Sequence, residues 1–553
     1  MSNDRERSTP VHDEETRVLI VGGGLVGLST AVFLAYHDVP CLLAERHPDL
    51  LIHPRARGFT PRTVELYRQV GLEPEILAAA YASSERFEWV AVRAETLTSE
   101  EYTPAEERDG DDGFGDASPS PFAPIDQDRL EVLLRARAEE FGAVIRFSTE
   151  LTSFEQDGAG ITAVLKDRRS GAERTVRANY LVAADGWNSP VRRRLGIGTD
   201  GPGPFFHTIT AMIDADLTPA LRGRRVSIAY LQQPRPGTVL MAHDDAGCRW
   251  VFGTGYALEQ GESVDDYTDE RCVGLVRGAA GLPDAKVSLR PQIPGTDLKV
   301  LGFTIGAQVA RRYREGHVFL VGDAAHIVPP TGGLGANTGI QDAHNLAWKL
   351  AAVLRDQAGP ALLDTYHAER RPAGLFTMQQ ALARWQSRVG TGGIEGEPLV
   401  DYAAVALGYR YRLSSMLGAP EDTSPALHPE ELKGQPGTRA PHVTVTLGGR
   451  EISTIDLYGR RFVLLAGNGA TALVQAAERV AQRLDVPLDA YRFGMELASD
   501  EGAAAHGVGA DGALLVRPDG FVAWRAETAP ENPERELEQA LSRLLGRTTG
   551  ALA

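Results

Sequence analysis

At 553 residues the chain has room for about three domains of roughly 150 residues each. Its composition, 43% apolar and 24% charged, excludes a disordered or collagen-like chain. Three cysteines, Cys41, Cys248 and Cys272, are too few and too scattered for a disulfide framework or a zinc cluster; no metal is expected, and a cytoplasmic location fits. Lys and Arg total 57 against 74 Asp and Glu, and a net charge of -17 repels polyanions, so neither nucleic acid nor an anionic membrane is an expected partner.

Residues 1–16 are polar and read as a loose tail without the apolar core of a signal peptide. The apolar run 18–21 suits a strand buried on both faces; 25–36 carries apolar residues at helical spacing, and 40–45 supplies the next strand. A right-handed crossover puts both strands in one parallel sheet. Residues 99–124, acidic and rich in Gly, Ser and Pro, predict a surface loop. An amphipathic helix follows over 125–141, then antiparallel strands near 144–147 and 160–165 and a buried strand over 179–184. Between 205 and 303 the pattern is strand-rich, which predicts an antiparallel sheet forming a separate layer. A buried strand returns at 318–321, and 335–354 predicts a long helix with Ile340, Ala343, Leu346, Ala347 and Leu350 on its apolar side. A Gly/Pro-rich passage and loosely patterned chain over 391–440 read as a linker. The last part predicts a small α/β module with a hairpin turned by Pro518-Asp519-Gly520.

Three motifs carry chemistry. Gly22-x-Gly24-x-x-Gly27 follows a strand and opens a helix, with Glu45 ending the next strand. Glycines there let the turn close and let a pyrophosphate approach the backbone, the helix N-terminus favours its charge, and Glu45 can accept hydrogen bonds from ribose hydroxyls. Leu181-Val-Ala-Ala-Asp185-Gly186, followed by Ser189 and Arg192, is by itself a strand running into an Asp-Gly turn. In Gly322-Asp323-Ala-Ala-His326-Ile-Val-Pro329-Pro330-Thr-Gly332-Gly333-Leu334-Gly335-Ala-Asn337, a strand delivers Asp323 at its carboxyl end. Glycines then let the backbone approach something flat before a helix whose start can hold partial negative charge, such as that of a reduced flavin.

Together these segments resemble the fingerprint, DG and GD motifs of the single-component FAD-dependent aromatic hydroxylases, the para-hydroxybenzoate hydroxylase family, over about 18–372. The segment HPRARGFTPRTVELYRQVGL and the added C-terminal module are most similar to the polyketide hydroxylases of antibiotic pathways, the aklavinone hydroxylase group. The resemblance implies an α/β fold: a discontinuous, Rossmann-like FAD-binding domain (17–85, 125–204 and 304–390) with an inserted antiparallel-sheet substrate domain (86–124 and 205–303). A thioredoxin-like domain follows at 441–553, in which no cysteine, and hence no CxxC, is present. It also implies roles. Glu45 and the neighbouring Arg46 would serve the adenosine ribose; Arg55 would sit near the pyrophosphate and nicotinamide, or is a solvated loop arginine. Gln127 would touch the flavin side chain, or caps its helix; Asp185 would serve FAD and NADPH. Asp323 would hold the ribityl chain, and Pro330, Gly332, Gly333, Leu334, Gly335 and Asn337 would line the isoalloxazine.

The family reaction is reduction of FAD by NADPH or NADH, capture of O2 as a C4a-hydroperoxyflavin, and transfer of one oxygen to an aromatic polyketide. Met241, Trp250 and Phe252 are possible substrate-wall residues, or core. Arg388 would stabilise a phenolate, since a guanidinium stays protonated, or is a solvated helix arginine; His326 is a cofactor wall more readily than a base. The same motifs permit Baeyer-Villiger insertion, oxidative inactivation of an antibiotic, or a flavin-binding scaffold without activity. A monomer or homodimer is expected.

Overall fold

The computed structural model describes residues 12–50, 56–80, 90–105, 114–243, 248–293, 296–389, 397–412 and 424–547. The apolar run near the N-terminus forms the strand Glu14–Val21, its last four residues wholly or nearly buried. It pairs in parallel with Cys41–Ala44 on one side and Glu173–Ala183 on the other. Helix Leu25–Tyr36 makes the crossover, and Val318–Leu320 extends the parallel set beside Glu173–Ala183. These strands are continuous Val, Leu, Ile and Ala because helices or further chain cover both faces. The strands Thr149–Asp157 and Gly160–Asp167 hang from this sheet as an antiparallel hairpin.

The second sheet has nine strands and begins earlier and ends later than the strand-rich stretch predicts. Thr199–Asp214 and Val300–Ala310 pair along most of their length, and His326–Ile327 joins from the segment after Asp323. Its outer face is closed by helix Asp269–Ala280, whose Cys272, Val276 and Ala279 pack with Trp250, Phe252 and Ile209. Its inner face turns towards the 26-residue helix Asp364–Val389.

The C-terminal module has a four-stranded sheet in the order Leu488–Arg492, Phe462–Ala466, Ala513–Val516, Val522–Ala526. Helices Thr471–Leu484 and Pro533–Leu544 lie on one face. It is built into the rest of the chain: Trp348 and Leu362 belong to its core cluster, and Trp348 meets Phe462 edge to face. The stretch 391–440, expected as a linker, is no spacer in its described parts. Ala403 to Leu407 of helix Tyr402–Leu407 are buried against Phe114, Leu334 and Phe376, and Tyr409 and Tyr411 are buried because their rings fill the seam with Phe521 of the module. No helix among the described residues is long and apolar enough to cross a membrane.

Candidate active site

The glycine turn divides its work between packing and space. A Cβ on Gly22 would fall 2.3 Å from the Ala184 carbonyl oxygen, and one on Gly27 would fall 1.9 Å from that of Gly22. These two glycines let helix, turn and the Asp185 strand close on one another. A Cβ on Gly24 would have nothing nearer than Glu131 Oε1 at 3.9 Å, so its missing side chain serves something other than protein packing. Gly23, outside the motif's spacing, is needed because Glu45 Cβ would lie 2.7 Å from an added Cβ. Glu45 turns into the glycine loop: Oε2 accepts from Gly23 N at 2.6 Å, and Oε1 lies 2.6 Å from His47 Nδ1. Arg46 beside it is exposed, and Arg55 lies outside the described residues.

Two helices start here without a side-chain cap. Gly24 precedes helix Leu25–Tyr36 and Gly333 precedes helix Leu334–Leu354, and neither end is capped by a side-chain hydrogen bond. Each therefore presents backbone N–H groups and the positive end of its dipole to whatever lies in front. The two starts lie close together. Val26 packs against both Gly322 and Gly339, where an added Cβ would sit 2.9 and 2.7 Å from Val26 Cγ2. Glycines at 332 and 333 take left-handed φ of 85° and 65°, which aims the chain into the second helix.

The DG segment locks onto the GD segment through Arg192, whose Nη1 donates to the Ala324 carbonyl at 2.7 Å. Ser189 Oγ accepts from Arg192 N at 3.0 Å and caps the short helix between them. Asp185 Oδ2 accepts from Val191 N at 3.0 Å, while Oδ1 is buried with no hydrogen-bond partner among the described residues. Burial raises its carboxyl above the usual range, with Ser189 and Val191 pulling the other way. Asp323 stands exposed at the end of its strand, and Pro330 is exposed beyond it.

The residues present fit an FAD. Uncapped N–H groups suit the pyrophosphate and an anionic isoalloxazine, the open face of Gly24 admits a close approach, and the orphaned Asp185 oxygen awaits a donor. Gln127 opens its helix without capping it: its backbone N–H donates to the Ala56 carbonyl and its Oε1 accepts from Ala56 N at 3.3 Å, while Nε2 donates to Glu131 at 2.7 Å, so the side chain ties the helix start to the chain at Ala56. Glu131, one turn along the same face and 2% exposed, escaped the sequence reading although its i+4 spacing from Gln127 was visible. Asn337 is spent on protein. Its Oδ1 accepts from Thr60 N at 3.0 Å and Thr63 Oγ1 at 2.6 Å, and its Nδ2 donates to the Gly333 carbonyl, so the side chain braces the helix start. His326 Nε2 lies 2.7 Å from Asp342 Oδ2 in the interior and is no free base.

Two features match the family models directly. "FAD binding domain" matches residues 15–381, and "Aromatic-ring hydroxylase, C-terminal" matches 433–548. The chain belongs to the FAD-dependent aromatic-ring hydroxylases. It is similar over 97% of its length to a tetracenomycin A2 monooxygenase-dioxygenase of Streptomyces glaucescens, at 43% identity and covering 98% of that protein. It is also similar to a 4-methyl-5-nitrocatechol 5-monooxygenase of a Burkholderia species, at 42% identity over 97% of this chain and 98% of that one. The crystal structure of aklavinone-11 hydroxylase with FAD and aklavinone superposes with a TM-score of 0.89 at 39% identity, covering 97% of this chain and all of that one. The enzyme is an FAD-dependent monooxygenase that uses O2 and a reduced nicotinamide.

Within this hydroxylase, the wall residues need correction. Trp250 and Phe252 are both 0% exposed on the outer face of the large sheet, under helix Asp269–Ala280, because strand alternation puts them with Leu240 and Ala242. Met241 lies on the opposite, inner face with Val239 and Tyr230. There Phe205 and Phe206 meet Trp385 edge to face, with centroids 5.8 and 5.1 Å apart. Arg388 is buried, not solvated: its Nη1 donates to Tyr230 Oη at 3.2 Å. Trp385 Nε1 is a buried donor with no partner among the described residues. Arg57, paired with Asp126 at 2.8 Å, donates to the Ala242 carbonyl and so ties the sheet's inner edge to the cofactor domain.

Proposed function

We propose that the enzyme hydroxylates an electron-rich ring of an aromatic polyketide in antibiotic biosynthesis, acting in the cytoplasm as a monomer or homodimer on NADPH or NADH. The observation that carries the substrate reading is the aromatic box of Phe205, Phe206, Tyr230 and Trp385, closed by Arg388. Flat ring faces suit a flat multi-ring substrate, and the box holds a cation and an unpaired N–H donor for its oxygens. Bound FAD, once reduced by the nicotinamide, would supply the activation of O2, one atom of which passes to the ring while the other leaves as water. The chain's own part is to bind, orient and exclude water. Glu45, the two uncapped helix starts, Asp185 and Asp323 would hold the cofactor. Arg388 stays charged at any working pH, so its guanidinium favours the phenolate form of a substrate hydroxyl. By accepting from Arg388, Tyr230 Oη is left with its own proton to donate to a second substrate oxygen. Trp385 Nε1 would donate to a carbonyl or quinone oxygen. We read the C-terminal module as thioredoxin-like in topology and without dithiol chemistry, as all three cysteines precede residue 273.

The test mixes holoenzyme with NADPH and oxygen over a panel of anthraquinone and naphthacene polyketides and 4-methyl-5-nitrocatechol, with products identified by mass and NMR. A ring-hydroxylated polyketide is expected. A lactone would establish Baeyer-Villiger insertion, and turnover confined to the nitrocatechol would replace the polyketide reading. Arg388→Met should lower kcat about 100- to 1000-fold while FAD stays bound, the scale for losing one electrostatic donor at a reacting oxygen.

A further inference from the structure

The C-terminal module reaches the interior of the cofactor domain with a hairpin tip. Pro518-Asp519-Gly520 is turn chemistry that normally faces water, yet Asp519 is 1% exposed and Arg517 2%. Arg517 Nη1 and Nη2 reach Glu369 of the Asp364 helix at 2.6 and 3.0 Å, and its Nε donates to Asp519 Oδ1 at 3.0 Å. From Asp519 a buried chain of hydrogen bonds runs inward. Asn345 Nδ2 lies 3.2 Å from both Asp519 Oδ2 and Tyr411 Oη. Arg370 Nη1 donates to the same Tyr411 Oη at 3.2 Å, and its Nε donates to Asp342 Oδ1 at 2.7 Å. Asp342 Oδ2 then accepts from Gly322 N at 3.1 Å, the residue before Asp323.

Every side chain on this route is buried, so solvent does not relax it and each member's position depends on its partners. Asp342 remains ionised despite burial, which alone would raise its pKa, because Arg370 and His326 hold it low. A charged carboxylate grips the Gly322 N–H more tightly than a neutral acceptor would. We propose that Asp519, Asn345, Tyr411 and Arg370 are positioning residues of the cofactor site: they fix Asp342, which fixes Gly322 and hence the placement of Asp323. The module thus serves as a brace for the flavin-binding turn. This rests on the reading that Asp323 holds the cofactor.

The test compares full-length holoenzymes. Tyr411→Phe removes the bridging oxygen without altering charge, and Asp519→Asn keeps the shape of the hairpin tip while removing its charge. Arg68→Ala is the control, because Arg68 pairs with Asp456 at 2.6 Å across the same domain seam but off the route. Tyr411→Phe and Asp519→Asn should each raise the FAD dissociation constant about three- to tenfold and displace the flavin midpoint potential and absorption bands. Arg68→Ala should leave all three unchanged at a comparable change in melting temperature. Wild-type affinity, potential and spectrum in both route variants, with Asp342→Asn still weakening FAD, overturns the proposal; so does a loss that merely tracks melting temperature in all variants, the control included. Should Tyr411→Phe not fold, Asp519→Asn decides by the same readings. If Asp323→Ala also binds FAD normally, it is the reading of Asp323 that fails.

Discussion

Gly24 and Gly27 belong to one motif and yet should fail in different ways. Gly27→Ala drives a methyl group into the Gly22 carbonyl, so the apoprotein should unfold at lower temperature, by a margin typical of overpacking, about 1–3 kcal/mol. Gly24→Ala meets only Glu131 Oε1, at an unstrained 3.9 Å, and its φ of -79° suits alanine, so the apoprotein melting temperature should be unchanged while FAD affinity falls. Titration of apoprotein with FAD beside calorimetry of the apo forms separates the two outcomes. Asp323→Ala should likewise weaken FAD retention without unfolding the chain, since its carboxylate stands at the surface of the described fold. Motif spacing was legible in the sequence because the backbone dictates it. The demand for Gly23 was not, because it arises from Glu45, which only the paired strands bring alongside.

Helix Leu334–Leu354 shows how far periodicity carries. The predicted apolar side, Ile340, Ala343, Leu346, Ala347 and Leu350, is buried as expected. Its polar side is buried too: Asp342, Asn345 and Lys349 face helix Asp364–Val389 and the C-terminal hairpin instead of water. Amphipathic spacing identifies which face is oily. It carries no information on whether the other face meets solvent or a second set of charges. Arg370 and Asp342, both 0% exposed, are such a pair, and Arg370→Leu should destabilise the protein by about 3–5 kcal/mol, because it strands a buried carboxylate. Chemical denaturation at constant FAD saturation measures it; a change below about 1 kcal/mol would mean that the carboxylate finds another partner.

Across the whole molecule, acid should act first on the seam between module and cofactor domain. Glu65, Asp342, Glu369 and Asp519 all lie in this seam or beside it. Burial would raise each carboxyl, but the guanidinium groups of Arg439, Arg370 and Arg517 outweigh it and hold all four below their ordinary values of 4.5 for Glu and 3.8 for Asp. As pH falls, the unfolded chain therefore takes up protons before the folded one. The stability these groups contribute is complete above about pH 4.5 and is lost progressively as pH drops through their folded pKa values. The melting temperature should thus fall steeply below about pH 4.5, with release of FAD. A chain ending at residue 440 should fail to yield soluble holoenzyme, because it would expose Trp348 and Leu362 and leave Glu369 without Arg517.

The sequence by itself determined the glycine turn, the acid at the end of the second strand, the GD turn and the family, since each depends on spacing within one short stretch of backbone. Tertiary structure alone decided which face of the large sheet receives Trp250 and which receives Tyr230, that Ala403–Leu407, Tyr409 and Tyr411 are interior, and that a Pro-Asp-Gly turn lies in the core. Those outcomes depend on what packs against each element, and a polar residue far along the chain can be satisfied in the interior once a distant partner of opposite charge is folded against it.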